Sequence, residues 1–374
     1  MKKIKILLLS PNPQDANSFW RAVGPMNYMA KHSNGEIDVI VSDPTKKLTW
    51  LDFSGVDLVF LHRPCNPQDL IFLQLAWLVN VPVWVEFDDW LFNLPGWNPA
   101  QTSYHQMGVK HTIAMSLACA DLISVTTNQL ADLFKPINEN VRVVPNAYRS
   151  DFFPYRTDEI ADRDMKKGYW RGSNTHEGDV LSVGDGFRDM PYNFNFIGDV
   201  QWTLLSQMKP ESYTLFTGHN KMDPLIMMAH IWDIRPKVMV FPLVDCLFNR
   251  CKSNIAYIEA MHAGAICVAP DMPEWRKEGI FNYEPSNAKS FREQVDKAFD
   301  LPMDQHRRLL ESAFNKMKDE YDIAKVNEAR VECVRYLTSP EFKKTKHSPF
   351  NEQYGVKTLG YVQKEILSKE AASG

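Results

Sequence analysis

Between Phe241 and Pro270 the chain concentrates the residue types that hold a phosphate. Asn249, Arg250, Lys252, Ser253 and Asn254 stand together ahead of an apolar helical run that carries Glu259 and closes near Gly264. One apolar, strand-like run precedes this loop and another follows the helix. The loop therefore lies at a strand end, where helix N-termini attract anions through N–H groups with no partner in the helix. Arg250 and Lys252 would bring charge and Ser253 a hydroxyl, so the three would converge on a pyrophosphate. Glu259, further along the helix, would accept the two hydroxyls of a ribose. The competing reading leaves Arg250 and Lys252 solvated and makes Glu259 a surface helix charge.

A second group, Arg171-Gly172-Ser173-Asn174-Thr175-His176, ends another apolar run. Gly172 lets a phosphate approach the backbone, Ser173 and Thr175 offer hydroxyls, and Arg171 offers charge. Taken alone, the segment reads equally well as a solvated loop with a capping Ser or Thr. The N-terminal half adds Ser18 and Arg21, then His62 and Arg63 ahead of Pro64, then Asp88 and Asp89 within Glu86-Phe-Asp-Asp-Trp90. His62 or Arg63 would touch the acceptor or the transferred sugar, and a structural histidine is the competing reading for His62. Successive residues of an extended chain point to opposite faces, so only one of Asp88 and Asp89 is expected to face a shared cleft. No metal site is expected there, and Cys246, Cys251 and His262 lack the paired spacing of a zinc site.

These residues need elements to position them. Short apolar runs at Ile4–Leu9, Ile37–Val41, Leu58–Leu61, Val81–Val85, Leu122–Val125 and Val141–Val144 alternate with longer amphipathic stretches, the rhythm of a parallel, doubly wound sheet. After a polar segment from Asp151 to Lys167 the rhythm restarts with Gly168–Arg171, Phe194–Ile197, Tyr213–Phe216, Val238–Phe241 and Ile266–Val268. Two Rossmann-like units in tandem follow, expected over residues 1–150 and 151–302. Residues 303–374 are expected to be helices packing back on them, with periodic patterns at Met303–Met317, Ile323–Leu337 and Val362–Lys369.

In that order along the chain, the run from Phe241 to Pro270 resembles the donor-binding signature of GT-B glycosyltransferases of the retaining, glycogen-synthase-like group. Trp170 to His176, Phe196-Ile-Gly198-Asp199 and Val144-Pro-Asn146-Ala147 are similar to the same family in order and spacing. The resemblance covers about residues 1 to 300. It implies an α/β protein of two Rossmann-like domains facing a central cleft, with C-terminal helices and a nucleotide-sugar donor, a UDP-sugar favoured, held mainly by the second domain. It implies no required metal or other cofactor, and it puts His105 near the donor. Charge grows on the β-phosphate as the sugar departs, and Arg171, Lys252 and the helix start at Ser253 would stabilise it. Retention implies no obligatory carboxylate nucleophile, whereas an inverting enzyme would draw on Asp88 or Asp89 as base. One position departs from the family pattern: its Glu eight residues before the ribose-binding Glu is here Cys251.

The acceptor stays open. The Asp15–Pro25 and Glu86–Pro95 blocks are similar to phage and bacterial surface-polysaccharide transferases, which leaves a surface glycan, a lipid-linked glycan or a hydroxymethylated pyrimidine in DNA. A non-catalytic nucleotide-sugar-binding protein and a sugar-phosphate epimerase of related fold are the alternatives. The formal charge of −4 argues against a broad basic face that coats nucleic acid. Hydrophobic residues at 44% and charged residues at 24% exclude a disordered chain. The apolar stretch Leu70 to Phe87 is broken by Gln74, Asn80, Pro82 and Glu86, so it is not one membrane helix. Met1-Lys-Lys-Ile-Lys5 leads into a short apolar run without a small-residue cleavage site, and the six cysteines are scattered. Both point to a cytoplasmic protein with reduced thiols.

Overall fold

Two six-stranded parallel sheets organise the chain in the computed structural model, which describes residues 3–153, 166–216, 223–345 and 347–373. Most of the polar segment expected to join the halves, 154–165, lies outside the described residues.

The first sheet contains β1 (Ile4–Leu9), β2 (Ile37–Val41), β3 (Leu58–His62), β4 (Val83–Phe87), β5 (Leu122–Val125) and β6 (Val141–Val143), in the order β2-β1-β3-β4-β5-β6. Helices cover both faces, so β3, β4 and β5 are buried along their whole length and read as nearly unbroken apolar runs. The pleat divides them. Leu7, Leu9, Val59, Leu61, Val83 and Val85 enter one core, while Ile6, Leu8, Leu58, Phe60 and Trp84 enter the other.

The second sheet contains β7 (Lys167–Gly172), β8 (Asn193–Gly198), β9 (Tyr213–Phe216), β10 (Val238–Val240), β11 (Ile266–Pro270) and β12 (Ile280–Tyr283), in the order β12-β11-β10-β7-β8-β9. The strand expected from Val81 begins at Val83. Pro82 has no N–H to offer a neighbour, and the Val81 N–H closes the preceding helix by donating to Ala76 O at 2.9 Å. The edge strand β12 has no counterpart in the expected set, because its four residues carry little periodicity.

The later helices tie the two units together. Met303–Tyr321 packs on the helix Ile255–Ala263, and Ile323–Leu337 packs on Val23–His32. Cys333, Val334 and Leu337 complete one core of the first sheet. Gln353–Tyr361, another element beyond the expected set, lies along Met107–Cys119, with the Gly355 N–H donating to the Met115 sulfur at 3.1 Å. Val362 and Ile366, just beyond, enter the other core of the first sheet. Among the described residues no helix is long and apolar enough to cross a membrane.

In each sheet the connections reverse direction once, between β1 and β3 and between β7 and β10. A crevice opens at such a reversal, outside the carboxyl ends of the strands, and ligands of open parallel sheets bind there.

Candidate functional site

At the second reversal β7 ends in Arg171 and Gly172, and β10 runs on into Phe241. These residues, with Ser173 and His176, form one wall of a cavity of about 310 Å³, which Lys252 and Ser253 extend. Trp20, Arg21, Asp88, Asp89 and Asn146 from the first unit form the facing wall, so the cavity lies between the two sheets. Gly172 is required on packing grounds, because a Cβ there would meet the Trp170 ring at 2.5 Å.

Arg171 is fixed by two parallel hydrogen bonds to Glu259, Nε to Oε2 at 2.8 Å and Nη2 to Oε1 at 2.6 Å. The Glu259 carboxylate is fully buried, whereas 22% of the Arg171 side chain stays exposed towards the cavity. Burial works against the guanidinium charge, and Glu259 more than restores it, so Arg171 is held above its ordinary value. This corrects the reading of Glu259 as an accessible helix carboxylate. Its helix, Ile255–Ala263, is buried from Ala256 onward, and a lone carboxylate inside it needs an internal partner. Glu259 therefore presents Arg171 to the cavity and is not itself among the lining residues.

The loop before that helix is stitched to the first unit. Asn146 donates from Nδ2 to Ser253 Oγ at 2.7 Å and accepts from Arg21 Nη1 at 3.3 Å. Thr127 Oγ1 donates to Cys251 O at 3.0 Å. Lys252 Nζ stands 3.8 Å from Asp89 Oδ1 and 4.5 Å from the centre of the Phe248 ring. Cys251, which occupies the position of the family's first Glu, is fully buried and packs in a core of the first sheet together with Phe248. At this position the chain holds the units together.

Several expected site residues fall elsewhere. Arg250 belongs to a single helical turn, Leu247–Arg250, and pairs with Asp245 (Nη2 to Oδ2, 2.9 Å) on the exposed surface, because the long helix starts at Ile255 and not at Arg250. Asn249 and Asn254 are buried supports of the loop. Asn249 Nδ2 donates to Asp179 Oδ1 at 2.7 Å, and Asn254 Nδ2 donates to the Tyr321 hydroxyl at 2.9 Å. Ser18 is buried behind the cavity, 3.4 Å from Ser10 Oγ. His105 Nε2 accepts the Leu94 N–H at 3.2 Å and is engaged by its own loop.

His62 lies at the first reversal, where its Nδ1 is 3.0 Å from Ser10 Oγ. It lines a separate cavity of about 170 Å³, and burial holds its imidazole well below the ordinary value. Arg63 follows in the left-handed region at φ 49°, an uncommon conformation for a residue before proline. The turn aims its guanidinium at both carboxylates, Asp88 Oδ1 at 3.0 Å and Asp89 Oδ2 at 3.6 Å. Both Asp88 and Asp89 line the main cavity, against the expectation that only one would. The alternation rule stops applying at Phe87, because the chain leaves the strand and bends at these two residues.

Among the lining residues that went unassigned from sequence are His176, Trp20, Asn146 and Phe241. His176 sits inside the segment that the sequence singled out, and Asn146 sits inside the Val144-to-Ala147 block. Asn146 depends on partners distant in the chain, Arg21 and Ser253, whereas the partner of His176, Asp179, is only three positions on.

No family model matches this chain, and no curated protein does. Solved structures do. A glycosyltransferase from Rickettsia africae ESF-5 superposes with a TM-score of 0.62 at 11% identity, covering 91% of this chain and 100% of its own. Anabaena Alr3699/HepE in complex with UDP and glucose gives 0.60 at 13% identity, over 88% and 99%. An alpha-glucosyltransferase in complex with UDP and a 13-mer DNA containing an HMU base gives 0.59 at 11% identity, over 89% and 100%. The fold is that of the GT-B glycosyltransferases. The cavity between the two sheets is then the central cleft of a GT-B architecture, with the Arg171 wall on its C-terminal side.

Proposed function

We propose that this protein is a glycosyltransferase that moves a sugar from a nucleotide-sugar donor, a UDP-sugar favoured, to an acceptor hydroxyl. The observation that carries this reading is the meeting of Arg171, Lys252 and Ser253 at the β7/β10 reversal, in a cavity whose other wall comes from the first sheet. The shared fold with proteins crystallised with UDP supports the choice of nucleotide. Residues 151–302 would then bind the donor, residues 1–150 would face the acceptor, and the helices of 303–374 would join the two.

Bond cleavage leaves negative charge on the β-phosphate. Arg171, already oriented by Glu259 through Nε and Nη2, keeps part of its side chain open to the cavity, and Lys252 adds a point charge from the loop. Groups fixed in place before the reaction stabilise developing charge without reorganising. Asp88 is paired with Arg63, and Asp89 lies between Arg63 and Lys252. Neither is a free base, which supports retention, with the leaving phosphate assisting deprotonation of the acceptor. The acceptor class remains a surface or lipid-linked glycan or a modified DNA base.

Calorimetric titration with UDP, followed by nucleotide release from a panel of UDP- and GDP-sugars, tests the reading. UDP binding and slow donor hydrolysis, accelerated by a glycan or hydroxymethylated DNA, are expected. A folded protein that binds no nucleotide overturns it.

A further inference from the structure

Each of the four cations nearest the cavity already has a carboxylate partner. Arg21 is matched by Glu86, Arg63 by Asp88, Arg171 by Glu259 and Lys252 by Asp89. A diphosphate entering this cavity brings negative charge that no unpaired permanent cation among these groups is waiting to meet. One titratable group on the same wall is placed to supply the balance. His176 lines the cavity with its side chain 14% exposed, and its Nδ1 lies 2.9 Å from Asp179 Oδ2. The Asp179 side chain is 2% exposed, and its other oxygen accepts from Val244 N–H at 3.0 Å and Asn249 Nδ2 at 2.7 Å. A carboxylate so engaged is an acceptor on both oxygens, so the imidazole must donate from Nδ1. The nitrogen left to the cavity is Nε2, an acceptor while the ring is neutral and a donor once it is protonated.

We propose that donor binding is coupled to proton uptake at His176, whose Nε2 takes a proton from solvent and donates it as a hydrogen bond to the incoming diphosphate. The inference rests on the nucleotide-sugar reading of the cavity. Burial, then the charges of Lys252 and Arg171, hold the imidazole below its ordinary value in the donor-free protein, working against the Asp179 hydrogen bond. Asp88 and Asp89 face it from across the cleft, and the Phe241 ring meets it edge-on at 5.6 Å. A bound diphosphate adds negative charge beside Nε2 and raises the imidazole value. Between the free and bound values each binding event takes up one proton. Affinity therefore rises as pH falls through that window, by at most about tenfold per pH unit, and is flat on either side.

The test is titration calorimetry with UDP-glucose, UDP-galactose and GDP-mannose, none of which titrates near neutral pH, in buffers of different ionisation enthalpy. The observed enthalpy should vary with buffer ionisation in the wild-type protein. His176→Gln should abolish that dependence and flatten the pH profile of affinity. His176→Lys, a permanent cation, should bind the donor without proton uptake, and a purely structural role for the ring would not produce that rescue. Asp179→Asn should move the profile to lower pH. Donor binding with no proton uptake, or equal uptake by His176→Gln, overturns the role of His176 and leaves the donor reading standing. No binding by any of the three nucleotide sugars, with thermal unfolding unchanged, overturns both.

Discussion

Two arginine–glutamate pairs stand on opposite sides of the cleft, each with its arginine in the wall and its glutamate behind, and they do different work. In the first unit Arg21 and Glu86 are both buried, with side-chain exposures of 1% and 2%. Ser124 donates to the second oxygen of Glu86, and Arg21 reaches on to Asn146. In the second unit Glu259 is as deeply buried, but Arg171 keeps 22% of its side chain open to the cavity. Enclosing both charges makes a scaffold, because all three nitrogens of Arg21 and both oxygens of Glu86 bond to partners inside the protein. Leaving the cation partly open makes a binding group whose orientation is set from behind. Residue types alone do not distinguish the two; exposure of the cation does.

Breaking the scaffold pair should have the largest effect. Glu86→Ala strands Arg21 in the core, and removing one partner of a buried pair costs about 3–5 kcal/mol. Urea unfolding should show a loss of that size, and an unchanged midpoint would mean that Arg21 finds water. Next comes Lys252→Ala, expected to lower kcat by about a hundredfold with a smaller change in donor affinity, since its contact strengthens as the leaving charge grows. Lys252→Arg should recover part of the rate, because the charge returns on a differently shaped head. Normal turnover by the Ala variant would leave Arg171 as the only leaving-group contact.

The open pair should respond less in stability and more in binding. Glu259→Gln removes a charge-assisted bond worth about 1.5–3 kcal/mol, so UDP affinity should fall tenfold to a hundredfold as Arg171 loses its orientation. Arg171 can turn towards solvent, so unfolding should shift less than for Glu86→Ala. Equal destabilisation in the two variants would erase the distinction between them. Ser253→Ala should have the smallest effect. It removes the hydrogen-bond partner of Asn146 across the units, worth about 1 kcal/mol, and should weaken UDP by less than about tenfold. A larger loss would place the Ser253 hydroxyl on the donor itself.

The central strands were legible in the sequence because strands buried on both faces are apolar along their length, and β1 and β5, like the less buried edge strands β2 and β9, form at the bounds that their runs imply. The loop from Asn249 to Asn254 and the Arg171 segment were legible as chemistry because charge and small residues follow a strand. Which of their members face the ligand was not. Arg21 pairs with Glu86 across 65 positions and Arg171 with Glu259 across 88, and periodicity reports only local neighbours. One signal was present and missed. The helix Ile-Ala-Tyr-Ile-Glu-Ala-Met-His-Ala has no polar face on which a solvated Glu259 would sit, so its carboxylate had to be internal. His176 carried no such mark; its importance comes from Asp179 behind it and from balanced charge around it.

The helix Gln353–Tyr361 and the turns after it have a consequence for synthesis. Gly355 meets Met115 across 240 positions, and Val362 and Ile366 fill a core built on the first sheet. A ribosome delivers the first sheet long before it delivers those side chains. Until they emerge, the nascent N-terminal unit presents an apolar face along Met107–Cys119, the kind of surface that chaperones bind and that drives aggregation. Folding of the first unit is therefore finished by a segment translated long after its sheet.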